Sequence, residues 1–450
     1  MTDTAWPSAS VSVAGLRRLL AKVEGQVPAS ELPSPTPPLG RKRLTFGMAT
    51  YDDFDGIYFT VQAMRLSQPE VLDDVEILVV DNHPEGQAAA ALKSLDRDIP
   101  NYRYVPFRSF RSPFVKDVVF REAGGDFVLC VDSHVLLAPG CLRRLFDYLD
   151  AHPGSGDLLQ GPMLYDDLRS VVTHFEPVWR GAMFGTWATD ARGIDPGAEP
   201  FEIPMQGLGL FGCYRSAWPG FNPRFRGFGG EEGYLHEKFR RAGGRTLCLP
   251  FLRWLHRFGR PLGVPYELTY TDRIRNYLIG WKELGLDPSE MVAHFRELLP
   301  EQDREGVLRE AQADLDHPLA AFDAAYVVHR PDRPEAWARM EGEIARLGIG
   351  RLVRHVEGTA AFPHRNALEE AQKLGLRRVL VLEDDAALDP GALPELVEAA
   401  LAGRPCDGLR IERGVRAGVV VAYHESAYAR LLREGTAAGT DQGRTPCRSE

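Results

Sequence analysis

The feature that most constrains this chain is a recurring unit: a short apolar run ending on a polar or acidic residue, followed by a helix-like stretch. "LTFGMAT" (44–50), "VEILVVD" (75–81), "YRYVPF" (102–107) and "DFVLCVD" (126–132) read as strands. "YFTVQAMRLS" (58–67), "SPFVKDVVFREAGG" (112–125) and "CLRRLFDYLDAH" (141–152) read as helices. Such alternation predicts an α/β fold, a mostly parallel sheet covered by helices. Ligands of these sheets bind beyond the carboxyl ends of the strands. Asp81 and Asp132 stand at two such ends.

The rest of the chain divides by composition. Residues 1–43 hold a short amphipathic helix, Val11 to Glu24, and a Pro/Ser-rich linker, "VPASELPSPTPPLG". The first α/β domain is expected over 44–262 and a charged helical connector over 263–318. A second, smaller α/β domain follows at 319–435, with "AAYVVHR", "EAWARMEGEIARLG", "HRNALEEAQKLG" and "RRVLVLEDDAAL", and a flexible tail at 436–450. The formal net charge of −10 argues against broad attraction to nucleic acid or an acidic membrane surface. Six scattered cysteines without a C-x-x-C pair read as buried thiols in a reducing compartment. With no apolar run long enough to span a bilayer and no secretory leader pattern, the expectation is a cytoplasmic, soluble protein.

Candidate chemistry begins where the fourth strand ends, at Asp132-Ser133-His134. Residues i and i+2 of an extended chain point to one side, so a carboxylate and an imidazole share a space at the sheet edge. Such a pair can hold a divalent cation such as manganese and leave positions for phosphate oxygens. In isolation a D-x-H more often marks a capping aspartate beside an incidental histidine. A second cluster adds weight: Gly229-Gly230-Glu231-Glu232 opens a helix with Leu235, Phe239 and Ala242 on its apolar face. Gly243-Gly244 ends that helix, and the strand "TLCLP" and then His256 follow.

In this order the elements resemble a GT-A glycosyltransferase domain, similar to glycosyltransferase family 2 and to the polypeptide N-acetylgalactosaminyltransferases. "PMQGLGLFGCYRSAW" is similar to the segment preceding their acceptor region. The resemblance implies a Rossmann-like nucleotide-diphospho-sugar transferase fold, with Asp132, His134 and His256 as metal ligands. It places Thr50, Asp81, Lys116, Asp132 and Arg257 (with Arg260) toward a UDP-sugar, and Glu231 toward the sugar hydroxyls. A G-E-E helix also resembles the cytoplasmic hydroxyproline N-acetylglucosaminyltransferases. Glu231 and Glu232 are the candidate catalytic residues, and Glu232 would serve as the base if the enzyme inverted configuration. The metal pattern favours retention.

"AAYVVHRPDRPEAWARMEGEIARLGI" and the later acidic strand resemble glycosyltransferase family 25. That resemblance implies a second GT-A-like domain in which Glu383, Asp384 and Asp385 meet metal and nucleotide sugar. Pro363 stands where that family has a serine before its histidine. The expectation is a metal-dependent glycosyltransferase using Mn2+ and a UDP-sugar on a hydroxyl of a protein, peptide or glycan. A second transfer by the C-terminal domain, an inverting enzyme, and a sugar-nucleotide-binding scaffold with a decayed second domain are the alternatives.

Overall fold

The computed structural model describes residues 32–110, 112–259, 268–358, 362–389, 391, 393–402, 409–411 and 415–434. The helix expected over Val11–Glu24, the tail, Arg260, Cys406 and Cys447 lie outside these. The chain forms two compact units. The first takes the described residues within 1–177, 185–219 and 239–266; the second takes those within 178–184, 220–238 and 267–450. The segment with Glu231 and Glu232 therefore clusters with the second unit.

In the first unit, strands β1 (Lys42–Thr50), β2 (Val75–Asp81), β3 (Tyr102–Pro106) and β4 (Gly125–Asp132) pair in parallel, in the spatial order β4-β1-β2-β3. Their Val, Ile and Leu side chains are buried on both faces, as a helix-covered parallel sheet requires. Helices α1 (Phe54–Ser67), α2 (Ala89–Asp98), α3 (Lys116–Glu122) and α4 (Cys141–Ala151) alternate with them. Phe46, Met48, Ile57, Val61, Leu129 and Phe146 form the centre of the core. The register sets Thr50 opposite Asp81 and Ala49 opposite Asp132, which aligns the polar strand ends along one edge.

Beyond β5 (Val135–Leu137) the strands are short: β6 (Leu158–Gln160), β7 (Met163–Leu164), β8 (Val171–Val172), β9 (His174–Arg180), β10 (Met183–Ala188), β11 (Phe201–Glu202), β12 (Leu210–Tyr214), β13 (Thr246–Cys248) and β14 (Trp254–His256). The main sheet reads β11-β13-β6-β12-β4-β1-β2-β3 and is antiparallel where β12 returns beside β4. The expected parallel sheet thus carries a mixed half. A second sheet, β5-β14-β7-β8, sits at the end of β4. Gly161 lets it form. A methyl group there would fall inside the Leu252 carbonyl oxygen, and the Gly161 carbonyl accepts the Trp254 indole N–H at 2.8 Å.

In the second unit, α5 (Glu231–Arg241) begins within 220–238 and continues into the first unit's segment; Leu235 and Phe239 are buried, while Ala242 is exposed just past its end. The charged connector divides into α6 (Tyr270–Glu283), α7 (Ser289–Leu298) and α8 (Glu301–Asp316). Pro300 separates the last two because its ring cannot continue a helix. A parallel core of β15 (Ala324–His329), β16 (Val353–Glu357) and β17 (Arg378–Glu383) follows. After β18 (Ala387–Leu388), β19 (Leu409–Arg410) and β20 (Val415–Ala417) comes β21 (Val420–His424), giving the order β16-β15-β17-β21-β19. Helices α9 (Pro334–Leu347), α10 (Arg365–Leu374), α11 (Leu393–Ala402) and α12 (Glu425–Glu434) complete this α/β half. No described helix is long and apolar enough to cross a membrane, and Cys130, Cys141, Cys213 and Cys248 are free and buried.

Gly161→Ala is expected to lower the unfolding free energy by about 1–3 kcal/mol, the cost of overpacking a closed contact. Gly156→Ala, where nothing lies within 4 Å, is expected to be near neutral. Urea denaturation of the two variants distinguishes a specific close approach from a general intolerance of methyl groups.

Candidate metal centre

Three side chains from two strand ends converge. β4 delivers Asp132, whose backbone N–H is tied to the Gly209 carbonyl at 2.9 Å. His134 lies two residues on, just before β5. His256 is brought beside it because β14 pairs antiparallel with β5, His256 opposite Val135. The Arg257 N–H then closes on the His134 carbonyl at 3.1 Å. The Nε2 atoms of His134 and His256 stand 3.1 Å apart, and His256 Nε2 is 3.4 Å from Asp132 Oδ2. Among the described residues, Asp132, His134 and His256 form the one group whose ligand atoms all lie within 4.8 Å of one another.

The donor chemistry fits a divalent ion. Two imidazole nitrogens 3.1 Å apart have the spacing of adjacent donors around an ion with bonds of about 2.1 Å. His134 is held by partners behind it. Ser133 Oγ donates to Asp53 Oδ2 at 2.9 Å and lies 3.3 Å from His134 Nδ1. A hydroxyl that donates to Asp53 accepts from the ring, which assigns the proton to Nδ1 and leaves Nε2 a lone pair for metal. Thr60 Oγ1 donates to the Ser133 carbonyl and accepts from the Val135 N–H, both at 3.1 Å, locking the turn. Asp53 also caps α1 by accepting from the Gly56 N–H at 2.9 Å. Burial pushes the Asp53 carboxyl up, but the hydrogen bonds from His134, Gly56 and Ser133 outweigh it and hold it at about 2. The same contest at Asp132, burial against the Lys116 charge and His256, leaves that group well below its ordinary range. Asp53 was not singled out in the sequence. Its signal was a capping aspartate ahead of an apolar helix, in "YDDFDG".

The remaining candidates fall in different places. Thr50 is buried at the sheet edge, and its hydroxyl has no hydrogen-bond partner. Asp81 faces the interior: Tyr104 OH donates to Oδ2 at 2.7 Å and the His83 N–H to Oδ1 at 2.9 Å. Burial, opposed by these two bonds, raises its carboxyl to about 6. Lys116 is buried, with Nζ 2.9 Å from Asp132 Oδ1 and donating to the Leu208 carbonyl at 2.7 Å. Arg257 is exposed. In the second unit, Gly229 and Gly230 take φ of +100° and +93°, a left-handed bend that opens α5 at Glu231, which is buried, and Glu232. There too, His364 Nε2 is 3.0 Å from Glu383 Oε1, and His364 Nδ1 is 2.6 Å from Tyr423 OH. Arg333 reaches Asp384 at 3.1 Å and Asp385 at 3.4 Å.

Residues 45–195 match the family model described as Glycosyl transferase family 2. This stretch is thus similar to a glycosyltransferase domain. The match takes in β1 to β4, Asp132 and His134, while His256 lies beyond it. The fold of the first unit is mixed α/β and GT-A-like, and the sheets of the second unit are consistent with a second α/β domain. No curated protein matches the sequence. Among solved structures, GalNAc-T7 with UDP, GalNAc and Mn2+ is similar at 16% identity and a TM-score of 0.44, over 61% of this chain and 55% of that one. The mannosyltransferase PcManGT from Pyrobaculum calidifontis, in complex with GDP-Man and Mn2+, gives 17%, 0.37, 68% and 78%. S. aureus TarS 1-349 in complex with UDP-GlcNAc gives 14%, 0.37, 61% and 76%. The chain thus spans about half the length of the first of these.

The Asp81 carboxyl yields a pH prediction. The folded protein holds this proton more tightly than the unfolded chain, so the stability it contributes is present below the ordinary aspartate range and is lost as pH rises through about 6. Relative to Asp81→Asn, which does not titrate, the wild-type protein is expected to lose about 1–3 kcal/mol of unfolding free energy between about pH 4 and about pH 7.5. Parallel pH profiles of urea unfolding check this.

Proposed function

We propose that this chain is a metal-dependent glycosyltransferase that moves a sugar from a UDP-sugar to a hydroxyl acceptor, with Mn2+ as the ion. The observation that carries the reading is the convergence of Asp132, His134 and His256 at the carboxyl edge of a sheet. Ligands of α/β sheets sit at that edge, and a carboxylate with two imidazoles suits manganese while leaving room for diphosphate oxygens. When bound, the ion would offset the charge that develops on the departing diphosphate.

The protein's own groups divide the remaining work. Asp53 and Ser133 hold His134 in the tautomer that offers Nε2. Thr50, with its unpartnered hydroxyl, and the edge around Asp81 meet the nucleoside. Arg257, exposed immediately after the third ligand, is assigned to the diphosphate. Glu231 is assigned to the sugar hydroxyls. We favour retention of configuration, because the two-histidine donor set resembles that of the retaining galactosaminyltransferases. Glu232 is the base in the inverting alternative. The acceptor is a hydroxyl of a protein, peptide or glycan, and the protein works in the cytoplasm.

Transfer is assigned to the domain with the metal ligands. The acidic strand end of the second unit supports this division, since Arg333 spans Asp384 and Asp385 and His364 engages Glu383. Asp384→Asn combined with Asp385→Asn is therefore expected to leave the product mass unchanged. Loss of one sugar increment in mass spectrometry would instead make the enzyme bifunctional.

The direct test of the metal reading is a panel of nucleotide sugars with Mn2+, scored by hydrolysis without acceptor. His256→Ala is expected to lower that turnover at least about 100-fold by removing one of three ligands. Undiminished turnover with unchanged Mn2+ affinity would overturn the proposal.

A further inference from the structure

Among the ligands, Asp132 is the one carboxylate, and a lysine already occupies half of it. Lys116 is only 8% exposed, and its Nζ lies 2.9 Å from Oδ1. It is fixed from behind by the Leu208 carbonyl at 2.7 Å and sits over the Phe211 ring at 5.7 Å. The other oxygen, Oδ2, faces His256 Nε2 at 3.4 Å. Lys116 thus leaves Asp132 a single oxygen to offer, alongside two imidazoles, which can ligate a cation only in their neutral form. One negative and one positive charge share the site, so the donor set is neutral before any ion arrives. Asp53 lies one hydrogen bond farther out, engaged with Ser133.

A buried ammonium one carboxylate away opposes a divalent ion, and the low-dielectric surroundings strengthen that opposition. The same charge attracts a diphosphate, whose oxygens are strong acceptors for a buried cation. The arrangement therefore disfavours the bare ion and favours the ion together with the anionic nucleotide.

We propose that Lys116 keeps the centre neutral, so that it holds a divalent ion firmly only when a nucleoside diphosphate covers the open side. Lys116 is thereby a positioning residue: it fixes Asp132 as a one-oxygen ligand and couples metal binding to nucleotide binding. The coupling is reciprocal, as linkage demands, so the ion raises nucleotide affinity by the same factor. This rests on the metal reading given under Proposed function and adds to it a role for a side chain that binds no ion itself.

The test is Mn2+ titration of the full chain, followed by the electron paramagnetic resonance signal of free Mn2+, with and without UDP. A cation at this range lowers a carboxylate's affinity for a proton by about 1–3 pK units, so its opposition to a doubly charged ion is expected to be about tenfold or more. UDP should tighten Mn2+ binding to the wild type at least about tenfold. Lys116→Met should bind Mn2+ alone about tenfold or more tightly than the wild type does and gain less from UDP. Lys116→Arg, which keeps the charge, should behave like the wild type. Lys116→Met binding Mn2+ alone no more tightly than the wild type overturns the proposal, and Lys116→Gln serves the same comparison if the methionine variant fails to fold by circular dichroism. A wild type whose Mn2+ binding ignores His256→Ala overturns the metal reading itself, and this inference with it.

Discussion

The site depends on one short ladder, the antiparallel pairing of Val135–Leu137 with Trp254–His256. Three residues against three is a marginal sheet by itself, and packing holds it. Val135, Leu137 and Trp254 are buried in the main core, and Met163 flanks Trp254 from β7. The Trp254 indole anchors to Gly161, where the backbone of residues 161 and 252 comes too close for any side chain. Through this ladder, a histidine 122 residues from His134 arrives at hydrogen-bonding distance from it. The geometry of this candidate centre is thus a property of the hydrophobic core as much as of the three side chains themselves.

Around that ladder lies a layer of buried polar groups whose partners determine what each can do. Asp53, Ser133 and Thr60 hold the turn that carries His134. Lys116 divides the two oxygens of Asp132 between a protein cation and the space beside the histidines. Tyr104 and the His83 N–H take both oxygens of Asp81. In a medium poorer than water at screening charge, such contacts settle protonation and orientation before a ligand arrives, which limits reorganisation during reaction. Asp81 and Asp132 end strands of the same sheet, yet burial raises one and a lysine lowers the other.

The second unit shows how little a strand-end carboxylate specifies alone. Glu383 ends a buried parallel strand much as Asp132 does, and Asp384 and Asp385 come next. There a guanidinium spans the two aspartates, and the histidine lies between Tyr423 and Glu383 rather than facing a second imidazole. Charge partners, not the acidic pattern, separate the two edges.

The parallel strands β1 to β4 were legible because each is a continuous apolar run with a polar end, and a helix-covered sheet admits little else. Asp132-Ser133-His134 was legible for the same reason, as an abrupt change of chemistry at a strand terminus. Helix Ala89–Asp98 was missed because its buried stripe is only Ala89, Leu92 and Leu95, with no capping side chain at its start. The strands between 158 and 214 are mostly two to seven residues long and pair with distant segments, so local periodicity hardly registers them. Asp53 was legible only as a helix cap, and neither its contact to Ser133 nor that of Lys116 to Asp132 left a local trace, because those partners are remote in sequence. By itself the sequence determined which residues could form strands and which could bind an ion, since both follow from side-chain chemistry and short-range period. Only the tertiary structure decided that residues 132, 134 and 256 meet, and which neighbours hold each in its protonation state, because those outcomes come from packing between segments far apart along the chain.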